Sequence, residues 1–147
     1  MTGADKTNAF FSMRGITKVY PMGEEDHTVL KDVDLFIRKG EFISVLGPSG
    51  SGKTTLMNII GLLDTPTYGE YRLHGQLMED LSENELAARR NKEIGFIFQS
   101  FQLLKRHTAL RNVELPLIYA GVAPGKRRER AEEMLHKVGL SDKMLHY

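Results

Sequence analysis

The chain has 147 residues, of which 41% are hydrophobic and 27% charged, and its formal net charge is +1 at pH 7. This balance is typical of one globular domain, which excludes a wholly disordered or collagen-like chain. The low net charge gives no global field that would attract nucleic acid. The chain contains no cysteine, so disulfides, thiolate nucleophiles and cysteine-based zinc sites are excluded.

The chain starts with a polar segment, residues 1–8, which we expect to be a flexible tail without a secretory signal. The segments Phe10–Tyr20 and Thr28–Arg38 follow, and both are rich in β-branched and aromatic residues. A turn-rich loop, Pro21–Asp26, separates them. This pattern predicts two antiparallel strands.

A short apolar run, Glu41–Leu46, comes after Gly40 and is typical of a buried strand. The run ends at Gly47. The segment Lys53–Asp64 then carries apolar residues at helical spacing, namely Leu56, Ile59, Ile60 and Leu63. The predicted local order is therefore strand, glycine-rich loop, helix.

Three further elements are predicted before residue 99. Thr67–Leu73 has the pattern of a strand. Ser82 and Glu85 form a capping-box pair, which places the start of a helix near Glu83. Ile94–Phe98 is a second apolar run and is predicted to be a strand that ends at Gln99.

The character of the chain changes after Gln99, because helical patterns over Thr108–Leu115 and Pro124–Val138 follow and no strand signal does. The second helix has an apolar stripe formed by Ala131, Met134, Leu135 and Val138. We therefore predict an α/β core with an antiparallel β-layer over residues 9–99, and the start of a helical subdomain over residues 100–147.

The glycine-rich loop matches the pattern G-x-x-x-x-G-K-[ST]. Its glycines let successive backbone N–H groups turn inward around an anion, and the following helix adds the positive end of its dipole. Lys53 supplies a charge for the β- and γ-phosphate oxygens, and the Thr54 hydroxyl is a hard ligand suited to Mg²⁺. The predicted phosphate-binding residues are Gly47, Pro48, Ser49, Gly50, Ser51, Gly52, Lys53, Thr54 and Thr55.

The residues around this loop resemble those of the ATP-binding cassette (ABC) ATPases. Tyr20 closes a strand upstream of the loop, where that family has an aromatic residue that stacks on adenine. Gln99 stands where the family has its Q-loop glutamine. Five stretches look like the branch that serves macrolide export and lipoprotein release: Gly47–Thr55, Asp64–Thr67, Gly69–Tyr71, Gly95–Leu104 and Thr108–Leu117 without Arg111.

The resemblance implies a fold, ligands and partners. The fold is an α/β P-loop NTPase core (RecA-like) with an N-terminal antiparallel β-layer and the start of an ABC helical subdomain, truncated. The implied ligands are ATP and Mg²⁺. Lys53 and Gln99 would act in catalysis, and Thr54 and Gln99 would bind the Mg²⁺ ion. The partners are a membrane-spanning permease subunit and a second ATPase subunit, with no nucleic acid. The implied location is the cytoplasm, where the protein would bind peripherally to the inner face of the plasma membrane.

Some features depart from the family. Lys105, His107 and Arg111 stand where the branch commonly has proline, an apolar residue and glutamate, which leaves the membrane partner open. The 147 residues contain no L-S-G-G-Q-type signature, no apolar run ending in Asp-Glu and no later switch histidine. Hydrolysis depends on positioning and electrostatics from such groups. We therefore expect an ATP-binding half-site that does not turn over by itself.

Three alternatives stay open from the sequence. A P-loop kinase or GTPase would need its own base-recognition motif, and no N-K-x-D is present. A non-catalytic nucleotide-binding fragment would carry the same loop without activity. A non-transport ABC-type ATPase, such as a repair or translation ATPase, would lack the exporter-like stretches.

Overall fold

The computed structural model describes residues 10–100 and 102–147. The predicted tail over residues 1–8 lies outside the described residues. The chain divides into two compact units, the first ending at Ala87 and the second beginning at Ala88. The first unit contains the sheet and the glycine-rich loop, and the second contains most of the helices.

A four-stranded antiparallel sheet forms the first unit. Strands β1 (Phe11–Met22) and β2 (Glu25–Ile37) pair as a hairpin, which confirms the predicted antiparallel pair. Strand β3 (Tyr68–Leu73) pairs with the other edge of β1, and the short β4 (Gln76–Leu77) pairs with β3. The strand order β2-β1-β3-β4 places β1 between two neighbours.

A bulge in β1 changes which of its side chains face the core. Phe11 and Met13 are buried before the bulge, and Ile16 and Lys18 are buried after it. Gly15 lies between these pairs with φ of 59°, and the pairing register shifts there. An inserted residue of this kind reverses the alternation of a strand. The bulge therefore turns Lys18 toward the interior.

Helix α1 (Lys53–Ile60) follows the loop, as predicted, but it ends four residues earlier than Asp64. Leu56 and Ile59 are buried. The phenolic hydroxyl of Tyr71 on β3 donates a 2.9 Å hydrogen bond to the carbonyl of Ile60. The end of the helix is therefore tied to the sheet.

The two apolar runs predicted as buried strands form no strand, so both predictions are wrong. In the run 41–46 Phe42 is 95% exposed and Leu46 is 90% exposed, and in the run 94–98 Ile97 is fully exposed. A strand needs a neighbour that supplies ladder hydrogen bonds. Among the described strands, none pairs with either run.

Helix α2 (Glu83–Glu93) begins at the predicted capping box. The Ser82 amide donates to the Glu85 carboxylate at 2.9 Å, and the Glu85 amide donates to the Ser82 hydroxyl at 3.4 Å. This reciprocal pair satisfies two amide donors that the first turn leaves open.

Helices α3 (Ala109–Tyr119) and α4 (Pro124–Lys137) and a short 3₁₀ helix (Ser141–Lys143) complete the second unit. Leu110, Ala131 and Leu135 are buried at its centre. Met134 and Val138, predicted to share the apolar stripe, are 43% and 67% exposed. No described helix is long and apolar enough to span a bilayer.

The packing of α1 can be tested by replacing Ile59 with alanine. Ile59 has no exposed surface, so the substitution should lower the free energy of unfolding by about 2–5 kcal/mol. Met57 on the same helix is 51% exposed, and Met57→Ala should cost about 0.5 kcal/mol or less. Urea unfolding of both variants measures the difference, and equal losses would mean that α1 does not pack through Ile59.

Candidate functional site

The glycine-rich loop reaches α1 by passing very close to β2. Gly52 has φ of 84°, a conformation that side chains disfavour. A Cβ atom at this position would lie 2.8 Å from the Leu30 side chain and 3.0 Å from the Val29 carbonyl. Only glycine therefore allows the loop to enter the helix directly against the strand.

Lys53 folds back over the loop that precedes it. Its ammonium donates to the carbonyl oxygens of Gly47 at 2.8 Å and Pro48 at 2.6 Å, and it lies 3.4 Å from the Ser51 hydroxyl. These contacts hold the positive charge beside the loop. An anion bound there would compete with two neutral carbonyls for the same protons, and charge-assisted hydrogen bonds are the stronger kind.

A cavity of about 480 Å³ lies over the loop and the start of α1. Its lining consists of Val29, Ser49, Gly50, Gly52, Lys53, Thr54 and Thr55. Cavities of this size hold small-molecule ligands. The structure thus brings six of the nine predicted phosphate-binding residues to one surface, while Gly47, Pro48 and Ser51 contact the Lys53 side chain.

The helix end at this cavity favours a negative ligand. Gly52 is the N-cap of α1 and provides no side-chain cap, and the first turn contains no acidic residue. The first N–H groups of a helix have no acceptor within the helix, and they lie at the positive end of its dipole. With Lys53 beside them, these groups make the surface electrostatically favourable for an anion.

Tyr20 does not line this cavity, but it belongs to a polar cluster in the same unit. Its hydroxyl donates a 2.7 Å hydrogen bond to one carboxylate oxygen of Asp64. The Lys18 ammonium donates to the other carboxylate oxygen at 2.6 Å and to the Thr65 carbonyl at 2.7 Å. The same ammonium lies 4.9 Å from the centroid of the Tyr20 ring.

The cluster sets the protonation of its members. Partial burial favours the neutral form of Asp64, but the hydrogen bonds from Lys18 and Tyr20 outweigh burial and hold its pKa below the ordinary value. The hydrogen bond to Asp64 and, to a smaller extent, burial raise the pKa of the Tyr20 hydroxyl, and the Thr55 side chain opposes that rise. At neutral pH the cluster therefore contains a carboxylate and a neutral phenol.

Gln99 lies in the second unit, whereas the loop lies in the first. It is exposed and follows the run 94–98, in which the rings of Phe96 and Phe98 stack with centroids 5.4 Å apart. The Asn112 side chain accepts from the Leu104 amide at 2.8 Å and donates to the Leu104 carbonyl at 3.2 Å. Asn112 thus holds the backbone at Leu104, and the role of Gln99 stays a prediction.

Sequence reasoning missed Val29, Lys18 and Asp64. Lys18 follows the buried Ile16 by two positions, so the two side chains face the same side of β1. A buried lysine requires an anionic partner, and this signal could have led to Asp64. Val29 carried no such signal, because an apolar residue in a strand is ordinary.

No group of three or more acidic or histidine side chains in residues 10–100 and 102–147 could hold a metal ion. Thr54 nevertheless lines the cavity, and its hydroxyl is a hard oxygen ligand. Mg²⁺ commonly takes one or two protein ligands together with substrate phosphates and water. The residues present therefore fit a Mg²⁺ ion that arrives with a phosphate ligand.

The comparisons with known proteins assign the chain to a class. The family model described as ABC transporter matches residues 30–146. The chain belongs to the ABC transporter family, as an ATP-binding domain of that family. This confirms the family inferred from the sequence.

Two relatives show which members of the family are similar. The chain is 54% identical over 134 residues to the uncharacterized ABC transporter ATP-binding protein YknY of Bacillus subtilis (strain 168), covering 91% of this chain and 58% of the relative. It is 51% identical over 137 residues to the macrolide export ATP-binding/permease protein MacB of Photorhabdus laumondii subsp. laumondii, covering 93% of this chain and 21% of that protein.

Two solved structures also match this family assignment. The dimeric, post-hydrolysis ATP-binding cassette MJ0796 bound to ADP and Pi matches with a TM-score of 0.83 at 45% identity. The match covers 93% of this chain and 60% of that chain. A second dimeric structure of MJ0796, a bacterial ABC transporter cassette, matches with a TM-score of 0.82 at 46% identity. The predicted cassette fold is confirmed, and the chain spans about three fifths of these cassettes.

The lowered pKa of Asp64 predicts how stability depends on acid. A carboxyl whose pKa is lower in the folded state stabilises that state above its unfolded pKa, about 3.9, and loses this contribution as the pH falls through its folded pKa. Wild type should therefore exceed Asp64→Asn in unfolding free energy at pH 7, and the gap should shrink below about pH 4.

Urea unfolding of both proteins between pH 7 and pH 3 measures this gap. Asp80→Asn, at an exposed position, corrects for the loss of one negative charge. A gap that stays constant over the whole pH range would mean that the Asp64 carboxylate is not held by Lys18 and Tyr20.

Proposed function

We propose that the chain is the nucleotide-binding part of the ATPase subunit of an ABC-type exporter. In this proposal it binds ATP with Mg²⁺, and the intact protein couples ATP binding and hydrolysis to transport. The observation that carries the proposal is the cavity over the loop, where Lys53, Thr54 and the start of α1 converge. The solved cassette MJ0796 bound to ADP and Pi supports the choice of ligand.

The triphosphate is the part of ATP that the loop would hold. The backbone N–H groups of the loop and the first turn of α1 would donate to the β-phosphate. Lys53 would exchange its bonds with the Gly47 and Pro48 carbonyls for bonds to the β- and γ-phosphates. The exchange replaces neutral acceptors by charged ones, which favours the bound state.

Tyr20 is the residue proposed to stack on adenine. Its side chain is partly exposed at the end of β1, and its ring is held at the hydroxyl by Asp64. A phenol ring offers a flat apolar surface, and aromatic pairs contribute about 0.5–1.5 kcal/mol beyond the burial of area. We therefore expect the adenine base to contribute less to the free energy of ATP binding than the phosphates do.

Thr54 and Gln99 are the protein residues proposed to hold Mg²⁺. When bound, Mg²⁺ neutralises charge on the β- and γ-phosphate oxygens. Thr54 lines the cavity. The family resemblance assigns Gln99 the second ligand position, from which it would also position water near the γ-phosphate.

The proposed partners are a membrane-spanning permease subunit and a second ATPase subunit. MacB relatives are named ATP-binding/permease proteins, and both solved MJ0796 structures are described as dimeric. The proposed location is the cytoplasm, peripheral on the inner face of the plasma membrane. The macrolide-export relatives favour an exporter over a non-transport ATPase.

The phosphate site can be tested with Lys53→Ala. Loss of a charge-assisted contact should weaken ATP binding by about 1.5–3 kcal/mol, or roughly 10- to 150-fold. Isothermal titration calorimetry with ATP and Mg²⁺ measures the affinity. Lys39→Ala, which removes an exposed lysine of the same unit, should bind as wild type does. Equal affinity of Lys53→Ala and wild type for ATP would mean that the loop does not bind the phosphates.

The chain by itself should bind ATP without turning it over. Its 147 residues contain no signature motif and no apolar run ending in Asp-Glu, so we expect no general base to activate the attacking water and no signature to bind a second ATP. Phosphate release should equal that of the Lys53→Ala control, and gel filtration with ATP and Mg²⁺ should show no ATP-dependent dimer. Lys53-dependent turnover would mean that a catalytic group lies within these residues.

A further inference from the structure

The Tyr20 ring is held by two charged side chains that the proposed function does not use. We infer that Asp64 and Lys18 are positioning residues, which fix the Tyr20 ring and present a single face of it to the base of the nucleotide. The inference rests on the proposed function, in which Tyr20 stacks on adenine. It adds the means by which the ring is oriented before ATP arrives.

Asp64 fixes the outer end of the ring. A tyrosine side chain near the end of a strand can rotate about two torsions, and the 2.7 Å hydrogen bond from its hydroxyl to Asp64 restricts both. The carboxylate is itself held, because Lys18 and the Thr65 amide donate to its other oxygen at 2.6 Å and 2.8 Å. The anchor of the ring is therefore rigid.

The anchor lies on the segment that leaves α1. The chain turns at Leu62, where φ is 55°, and the Asp64 amide then donates to the Asn58 carbonyl at 3.3 Å. Asp64 thus lies back alongside the helix whose first turn lines the phosphate cavity. The Thr55 side chain, which lines that cavity, opposes the rise in the pKa of the Tyr20 hydroxyl. Tyr20, which would contact the base, and the glycine-rich loop are therefore connected through α1.

Lys18 occupies one face of the ring. Its ammonium is 4.9 Å from the ring centroid, within the range of a cation–π contact. Lys18 is only 9% exposed and bonds Asp64 and Thr65 at the same time, so it cannot readily leave that face. A base can therefore stack only on the opposite face, which limits the orientations of a bound nucleotide.

The inference predicts a loss that affects the base and spares the phosphates. The probes are ATP and inorganic tripolyphosphate, each with Mg²⁺, titrated by calorimetry. Tyr20→Phe keeps the ring and removes the anchored hydroxyl, Asp64→Ala removes the anchor, and Lys18→Met removes the cation at similar size. Each should weaken ATP binding roughly 2- to 10-fold, the range of one aromatic stacking contact, and leave tripolyphosphate within about twofold of wild type.

Two variants separate this inference from the proposed function. Tyr20→Ala removes the ring itself and should weaken ATP but not tripolyphosphate. Asp80→Ala removes an exposed carboxylate and should change neither affinity.

Two results would overturn the inference while the nucleotide site stands. One is a loss of ATP affinity in Tyr20→Ala with wild-type affinity in Tyr20→Phe, Asp64→Ala and Lys18→Met, because the ring would then need no anchor. The other is an equal loss for ATP and tripolyphosphate in the cluster variants, because the cluster would then act through folding. Unchanged ATP affinity in Tyr20→Ala would instead contradict the proposed adenine contact.

Discussion

The close approach of Gly52 to strand β2 is the constraint on which the site depends. The loop must reverse direction, start a helix and lie against the sheet within a few residues, and a Cβ atom at position 52 would overlap the Leu30 side chain and the Val29 carbonyl. Because glycine removes that overlap, α1 starts directly on β2. Its first N–H groups, Lys53 and Thr54 then face one cavity.

The sheet also positions Tyr20, the residue proposed to contact adenine. The bulge at Gly15 turns Lys18 inward on β1, and the buried ammonium requires a partner. Asp64 supplies the partner from the segment after α1 and holds the Tyr20 hydroxyl as well. A local change in strand register thus connects Tyr20, near the end of β1, to the segment that follows α1, the helix that the glycine-rich loop precedes.

Local patterns predicted the elements that depend on local forces. The β1 and β2 hairpin, helix α1 and the Ser82 capping box are confirmed, because alternation, helical spacing and capping chemistry are written in neighbouring residues. The glycine-rich loop matches a motif with a physical mechanism, and its binding of phosphate stays a prediction. Whether Tyr20 and Gln99 bind the nucleotide stays a prediction.

The errors have a common origin. The runs 41–46 and 94–98 have the composition of buried strands, but a strand exists only where another segment completes its hydrogen bonds, and no described strand does so here. Composition records what a segment could bury and not which neighbour is present. The Lys18 and Asp64 contact was missed for the same reason, since it joins residues 46 positions apart.

Hydrogen–deuterium exchange of the backbone amides tests the central claim most directly, because it reports where a nucleotide binds. With Mg²⁺ and ATP added at a concentration near the wild-type Kd, amides of residues 47–55 should exchange more slowly in wild type, and most of this protection should be lost in Lys53→Ala. Protection that is absent from residues 47–55, or that persists unchanged in Lys53→Ala, would contradict the assignment of the loop as the phosphate site.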